Sequence, residues 1–397
     1  MTKFLTLLLS FAAIAIPLSA QRNIGEVDVV VNGQTLPVRV SANTPDLNAL
    51  ALQAFGAHGR YRLVASGYSY DIRFSLVGAA EVRVDIARGP GDEPVASEVV
   101  RGTGARNALL RAADVAVERT NGLGLRGFFA ARLACIGERT GHDEIYVGDL
   151  FFGGLREITR DNAITMTPRW SPDGSKILYT SYYHSGFPDI FQIDLNTLER
   201  STFVSFRGTN SGAHYSPDGR QVAMVLTGEG TPEIYVSNAQ GHMVSRRTRL
   251  DSTKASPCWS PDGSRIVFAS GNPSPQLYLI SAAGGPMRRL TYGISNYCAE
   301  PDWSRGDPNK IAFTMAEGGP RYQIAVYDFS TNESAKVSNA SFDGIEPCWL
   351  ADGRHLVYTA RNAHTSRLCI LDTVTGRSEP ISPLSFGPAK QGNAWGP

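Results

Sequence analysis

Six aromatic residues punctuate the last two thirds of the chain at nearly constant intervals: Trp170, Tyr215, Trp259, Trp303, Trp349 and Trp395, spaced by 45, 44, 44, 46 and 46 residues. A unit of that length cannot bury its own hydrophobic faces, so it must stack on copies of itself. Behind each mark lies a turn that decays along the chain. It reads SPDG at 171–174, 216–219 and 260–263, then SRGD at 304–307 and LADG at 350–353, and the chain ends at Gly396-Pro397. Pro pre-sets φ, Asp bonds the turn backbone and Gly supplies a positive φ, which accounts for the motif without any ligand. Short β-rich runs follow each turn at 177–179, 222–224, 266–268, 311–313 and 356–358. Second runs follow at 190–193, 234–236, 277–280, 324–326 and 368–371. These read as strands by composition and length. Repeats of about 40 to 50 residues with four strands each indicate a β-propeller.

The two ends of the array complement each other. Residues 131–160 hold the later part of a repeat (LACIG at 133–137, EIYVGDL at 144–150, REIT at 156–159) with no W-S-P-D-G turn before them, whereas AWGP at 394–397 has no later strands. The expectation is that the C-terminal strand completes the first blade, which closes a six-bladed ring and removes its free edge.

The chain before the array is different. Residues 1–20, MTKFLTLLLSFAAIAIPLSA, carry a basic Lys3, an apolar run and small residues at Ser19 and Ala20, the pattern of an export signal. Residues 21–126 read as a small α/β domain. VDVVVNGQTLPVRV at 27–40 suggests a hairpin turning at Asn32-Gly33. A helix follows Thr44-Pro45-Asp46 with Leu47, Leu50, Ala51, Ala54 and Phe55 on one face; strands are expected at 71–78 and 81–87, and a second helix at about 105–119. Asn121-Gly122, Gly124 and Gly127 mark the link to the propeller at 127–397. The fold class is thus mainly β, a six-bladed propeller preceded by a small α/β domain.

Composition narrows the function. Hydrophobic residues make up 42% of the chain, which excludes disorder. Loss of Lys3 with the signal leaves 37 basic and 37 acidic residues, and the longest basic cluster is Arg246, Arg247 and Arg249. That balance argues against a nucleic-acid partner, and nothing beyond the signal argues for membrane insertion. Cys135, Cys258, Cys298, Cys348 and Cys369 form no CxxC pair, so they read as buried thiols with at most one disulfide and no structural zinc among them. There is no G-x-S-x-G, H-E-x-x-H or G-x-x-x-x-G-K-[ST]. His142, His184, His214 and His242 lie near turns, where solvated or capping roles are the default. Asp173, Asp218 and Asp262 are explained by turn chemistry rather than by a metal. The expectation is a monomer with no catalytic residues, cofactor or metal.

The order of signal, small α/β domain, the stretch GFF…RLACIGERTGHDEIYVGDLFFGGLREITRDNAITMTPRWSPDG at 127–174, and WSPDG-type repeats ending in AWGP resembles the TolB family, periplasmic components of the Tol–Pal envelope system. The amino-terminal domain is shorter than the family pattern, and the usual D-L-x-x-S-G-x-F helix end reads AFGAHGRYRLV at 54–64. The resemblance implies a non-enzymatic periplasmic binding protein. Such a protein docks the lipoprotein Pal at one propeller mouth and meets TolA through the mature amino terminus, here Gln21, Arg22, Asn23, Ile24, Gly25, Glu26 and Val27, in support of outer-membrane integrity and constriction at division. The alternatives are a family paralogue with other protein partners, or an enzyme or accessory with a small ligand in the channel.

The segments that precede the aromatic marks, 162–167, 207–213, 251–256, 295–300, 342–346 and 390–393, are expected to ring one mouth of the channel. Asn210, Lys254, Tyr297, Glu300 and Glu346 belong to that ring. By the resemblance, Thr209, Gly212 and Ala255 match Pal-contacting positions, with Thr209 standing where the family has His.

Overall fold

The computed structural model describes residues 35–121, 126–228, 230–271, 273–319 and 321–396. The export signal, the amino-terminal TolA segment Gln21–Val27 and the turn at Asn32-Gly33 lie outside the described residues.

The amino-terminal domain is a five-stranded sheet with two helices. In chain order it runs β1 (Leu36–Ala42), α1 (Pro45–Ala57), β2 (Tyr61–Leu63), β3 (Tyr70–Gly78), β4 (Glu81–Arg88), β5 (Glu93–Arg101) and α2 (Ala105–Asn121). The strand order is β2-β1-β3-β4-β5, with β1 parallel to both neighbours and the remaining pairs antiparallel. Pro45 starts α1, where its missing N–H costs nothing. The helix buries Leu47, Leu50, Ala51, Ala54 and Phe55, the face that the apolar spacing marks. Two strands escape the sequence reading. β2 is only three residues long, and β5 carries Pro94 and exposed Val95 and Val99, so it reads as polar loop; Pro is tolerated because β5 is an edge.

Six four-stranded sheets follow. Their innermost strands are Thr165–Trp170, Asn210–Tyr215, Lys254–Trp259, Cys298–Trp303, Asp343–Trp349 and the closing strand Ala389–Trp395. The closing strand pairs antiparallel with β6 (Arg132–Gly137), which continues into β7 (Glu144–Asp149) and β8 (Arg156–Glu157). Blade one is therefore completed by the C-terminus, as the two partial repeats require. We number blade two from the Thr165–Trp170 strand onward. Neighbouring blades share their cores: Ala134, Ile136 and Ile145 of blade one pack on Trp170, Ile177 and Tyr179 of blade two. Each fully buried side chain of this size contributes about 1.5–3 kcal/mol.

The sixth aromatic mark is one residue out of register. Trp170 pairs with Ile177 and Trp349 with Leu356, but the residue opposite Leu133 is Ala394, and Trp395 pairs with Arg132. Trp395 still belongs to the ring. Its indole donates to the Pro172 carbonyl at 3.0 Å and lies 6.2 Å from the Trp170 ring.

The turns behave as their composition dictates. Gly174 N–H donates to Ser171 O at 2.9 Å with φ at 68°, Asp173 Oδ1 accepts from the Ser171 hydroxyl and the Ser175 N–H, and Ser171 Oγ accepts the Lys176 N–H. The same bonds recur around Ser216 and Ser260. These hydroxyl and backbone donors hold Asp173 and Asp218 below the usual carboxylate range and bring Asp262 to about 2. All five cysteines are free and buried.

Asp114 of α2 joins the two domains by accepting the N–H groups of Phe128, Phe129 and Ala130 at 2.9–3.1 Å. The end of α1 rests on blade six, where Arg377 donates to Tyr61 O at 3.3 Å. Among the described residues no helix is long and apolar enough to cross a membrane.

Candidate protein-docking face

All six inner strands run the same way along the channel, so their first residues gather at one mouth and their aromatic ends at the other. Each carries a bulge at an equivalent place, recorded as a register shift against its neighbour. The bulged residues are Thr167, Gly212, Ser256, Glu300, Glu346 and Gln391, all with φ between 52° and 63°. Five of the six are not glycine, and a left-handed backbone in such residues is costly unless neighbours hold it.

At Thr167, Gly212, Glu346 and Gln391 the neighbours do so through hydrogen bonds that cross from blade to blade. Glu300 Oε2 of blade five accepts the Glu346 N–H at 3.0 Å; Glu346 Oε1 accepts from Gln391 Nε2 at 2.9 Å; Gln391 Oε1 accepts the Thr167 N–H at 2.6 Å. Hydroxyls one strand out back these bonds. Thr314 donates to Glu300, Thr359 donates to Glu346 and accepts the Gln391 N–H, and Thr180 accepts the Gly212 N–H at 3.3 Å. Burial, and then the adjacent Glu346 carboxylate, push the Glu300 carboxyl up to about 7. Burial, with Glu300 next, likewise pushes Tyr297 up to about 12, and its ring lies edge-on to Tyr322 at 5.1 Å.

At the other mouth, the residues before the aromatic marks stitch the ring. Trp303 N–H donates to Cys258 Sγ at 3.3 Å, Trp349 N–H to Asp302 Oδ2 at 2.8 Å, and Trp170 N–H to Asn393 Oδ1 at 3.1 Å. His214 belongs to this set, which corrects its assignment to a solvated turn. It sits in the Asn210–Tyr215 strand with Nδ1 buried, and burial together with Arg169 and Arg305 depresses it to about 3. His142, His184 and His242 are exposed, as their turns imply. The cavity at this end holds about 70 Å³. That is room for little more than water.

The residues expected on the docking face divide into two kinds. Ala255 is exposed, and Thr209, Gly212, Tyr297, Glu300 and Glu346 are partly exposed. Asn210 and Lys254 are buried and spent on structure. Asn210 Nδ2 donates to Phe206 O at 2.8 Å and to Asp189 Oδ1 at 3.1 Å, while Lys254 donates to Ser252 O at 2.5 Å, to Leu250 O and to Glu233 at 3.2 Å. They shape the loops of this mouth rather than face a partner. What the sequence reading missed is most of the rim. Tyr183, Phe187, Phe206, Leu250 and Tyr292 join Ile164 of the expected 162–167 segment in projecting from loops at this mouth, 46–68% exposed. Between blades six and one a cleft of about 390 Å³ adds Arg361, His364 and Lys390 beside Glu346 and Gln391. Exposed aromatics around a polar, hydrogen-bonded centre have the composition of a protein interface.

Comparison with known proteins gives this architecture relatives. The TolB homologue of Chlorobium luteolum is 30% identical over 166 residues, 42% of this chain and 37% of that protein. The Tol-Pal system protein TolB of Bordetella pertussis is 30% identical over 164 residues, 41% and 37% of the two chains, and that of Desulfosudis oleivorans is 36% identical over 126 residues, 32% and 28%. The chain thus aligns with 28–37% of the length of these curated relatives. The crystal structure of TolB from Acinetobacter baumannii superposes with a TM-score of 0.79 over 93% of this chain and 98% of that one, at 23% identity, which shows a shared fold. The family model for the TolB β-propeller domain matches residues 121–397, and the chain belongs to that family.

Proposed function

We propose that this protein is a non-catalytic, exported docking component of a Tol–Pal type envelope complex, and that it receives a Pal-like lipoprotein domain at the mouth where the six inner strands begin. Membership of the TolB propeller family carries the reading. Two relatives bear the name Tol-Pal system protein TolB. The rim of exposed apolar side chains supports it. Small-ligand enzymes need pockets of about 300–1,000 Å³ lined mostly by apolar groups. The channel end near the aromatic marks is far smaller, and the cleft at the docking mouth is polar. Contact with TolA through residues 21–27 and a role in outer-membrane integrity and constriction at division complete the proposal.

Calorimetric titration of the mature chain with the periplasmic domain of Pal tests it. Ala255→Arg and Phe187→Ser should weaken binding at least tenfold and leave the melting temperature within a few degrees, as expected of exposed positions. Unchanged affinity in both variants places the interface elsewhere. No binding by the parent protein favours a family paralogue with another partner, which pull-down from envelope extract then identifies.

A further inference from the structure

Where the end of α1 meets blade six, two histidines face each other in a closed interior. His58 follows α1; His355 opens the strand His355–Arg361, just after the turn that holds Asp352. Both imidazoles are fully buried, their ring centroids are 4.3 Å apart, and Phe128 lies 4.6 Å from each. One donor atom from each of His58, Asp352 and His355 lies within 4.8 Å of the other two.

The hydrogen bonds around the pair leave a specific deficit. His355 Nδ1 is 2.5 Å from Asp352 Oδ2, and Asp352 is itself fixed because its Oδ1 accepts the N–H groups of Arg354 and His355 at 3.0 Å. His58 Nδ1 accepts weakly from the Arg60 N–H at 3.4 Å. Among the described residues, the Nε2 atoms of both histidines have no hydrogen-bond partner. Buried polar atoms without partners are rare, and two on rings whose centroids are 4.3 Å apart call for a missing group. A second carboxylate is at hand, with Asp372 Oδ2 3.8 Å from His355 Nε2. Asp372 is completely buried and is paired with Arg354 at 2.5 Å.

We propose that His58 and His355, with the carboxylates of Asp352 and Asp372 beside them, form a closed binding site for one divalent transition-metal ion of the zinc type, clamping the amino-terminal domain to blade six. The donor chemistry selects the class: imidazole nitrogens with carboxylate oxygen suit zinc and its neighbours, whereas calcium and magnesium take oxygen alone. Asp352 on His355 Nδ1 reproduces the carboxylate–histidine–metal relay that fixes a ligand's tautomer and turns its other nitrogen outward as a lone pair. The charge balance agrees. Asp372 is paired with Arg354, while the buried Asp352 carboxylate adjoins the His355 ring, so a cation meets charge that the two imidazoles leave unbalanced. With His58 on one domain and its partners on the other, the ion holds the joint rather than a reacting substrate.

The test uses the mature chain with exposed His142, His184, His242 and His364 replaced by Gln to remove surface binding. The protein is refolded with and without zinc and dialysed, and bound metal is counted by elemental analysis. About one equivalent is expected, lost in His58→Gln and His355→Gln and weakened about 10- to 100-fold in Asp352→Asn. Cobalt in place of zinc should give the visible absorption of imidazole-bound cobalt in the otherwise unaltered protein, a readout that stands even where the variants fold poorly. No retained metal and no such spectrum, or equal retention in His58→Gln, overturns the proposal.

Discussion

The Glu346 N–H donates to Glu300 Oε2 across a blade boundary at 3.0 Å, so a carboxylate of blade five holds the left-handed bulge of blade six. The same carboxylate is raised to about 7 by its burial and by Glu346. A carboxyl whose folded pKa lies above its unfolded value binds more protons folded than unfolded. Its contribution is therefore full below the unfolded value of about 4.5 and is lost as pH rises through about 7. Stability should fall between pH 5 and 8, and Glu300→Gln should flatten that slope, gaining on the order of 1 kcal/mol at pH 8 because Glu300 is partly open to the channel. Urea unfolding at both pH values decides it, and parallel slopes in parent and variant contradict it.

Asn393 closes the ring by three bonds: it accepts the Trp170 N–H through its side chain and the Trp170 indole through its carbonyl, and donates to Cys348 Sγ at 3.2 Å. Asn393→Leu leaves the buried Trp170 N–H without a partner, at a cost of about 1–3 kcal/mol. Deleting residues 392–397 removes most of the closing strand and exposes the edge of β6, so soluble yield should collapse. Equal melting of full-length and truncated proteins would show that blade one stands without its C-terminal strand.

Asn210 and Ala255 lie on one face but should respond in opposite ways. Asn210→Ala breaks the loop bonds to Phe206, Gly208 and Asp189 and should cost about 2 kcal/mol, whereas Ala255→Arg should stay within about 0.5 kcal/mol and affect only binding. Thermal denaturation beside calorimetric titration separates the two.

Gly212→Glu should cost only about 1 kcal/mol despite φ at 63°. Glutamate already occupies the equivalent bulges at 300 and 346, and the nearest atom to an added Cβ is 3.7 Å away. Chemical denaturation measures it; a loss above about 3 kcal/mol would show that this bulge, unlike its five counterparts, needs glycine.

Asp114→Asn tests the domain joint. An amide cannot accept on both ends, so one N–H among Phe128, Phe129 and Ala130 loses its partner. A loss of about 1–3 kcal/mol is expected. Faster amide exchange should appear at 128–130 while the blades stay protected, and unchanged exchange there would remove Asp114 from the joint.

The repeat period, the turn residues and the apolar runs were enough to determine six blades and the partner of the C-terminal strand. These features are local: a turn needs Asp and Gly at set places, and a half-buried strand needs its own apolar positions. The apolar face of α1 was legible for the same reason. What tertiary structure alone decided rests on neighbours distant in sequence. The displacement of Trp395 by one residue depends on where the closing strand bulges against β6. The left-handed bulges at Thr167, Glu346 and Gln391 use residue types that advertise no such backbone and adopt it because adjoining blades supply the hydrogen bonds. Asn210 and Lys254 read as mouth residues yet are buried, since the loops of the preceding blade fold over them. His58 and His355, 297 positions apart, meet only because α1 lies on blade six. Burial and hydrogen-bond partners at those points are set by the packing of one blade or domain on another, and no local pattern carries that information.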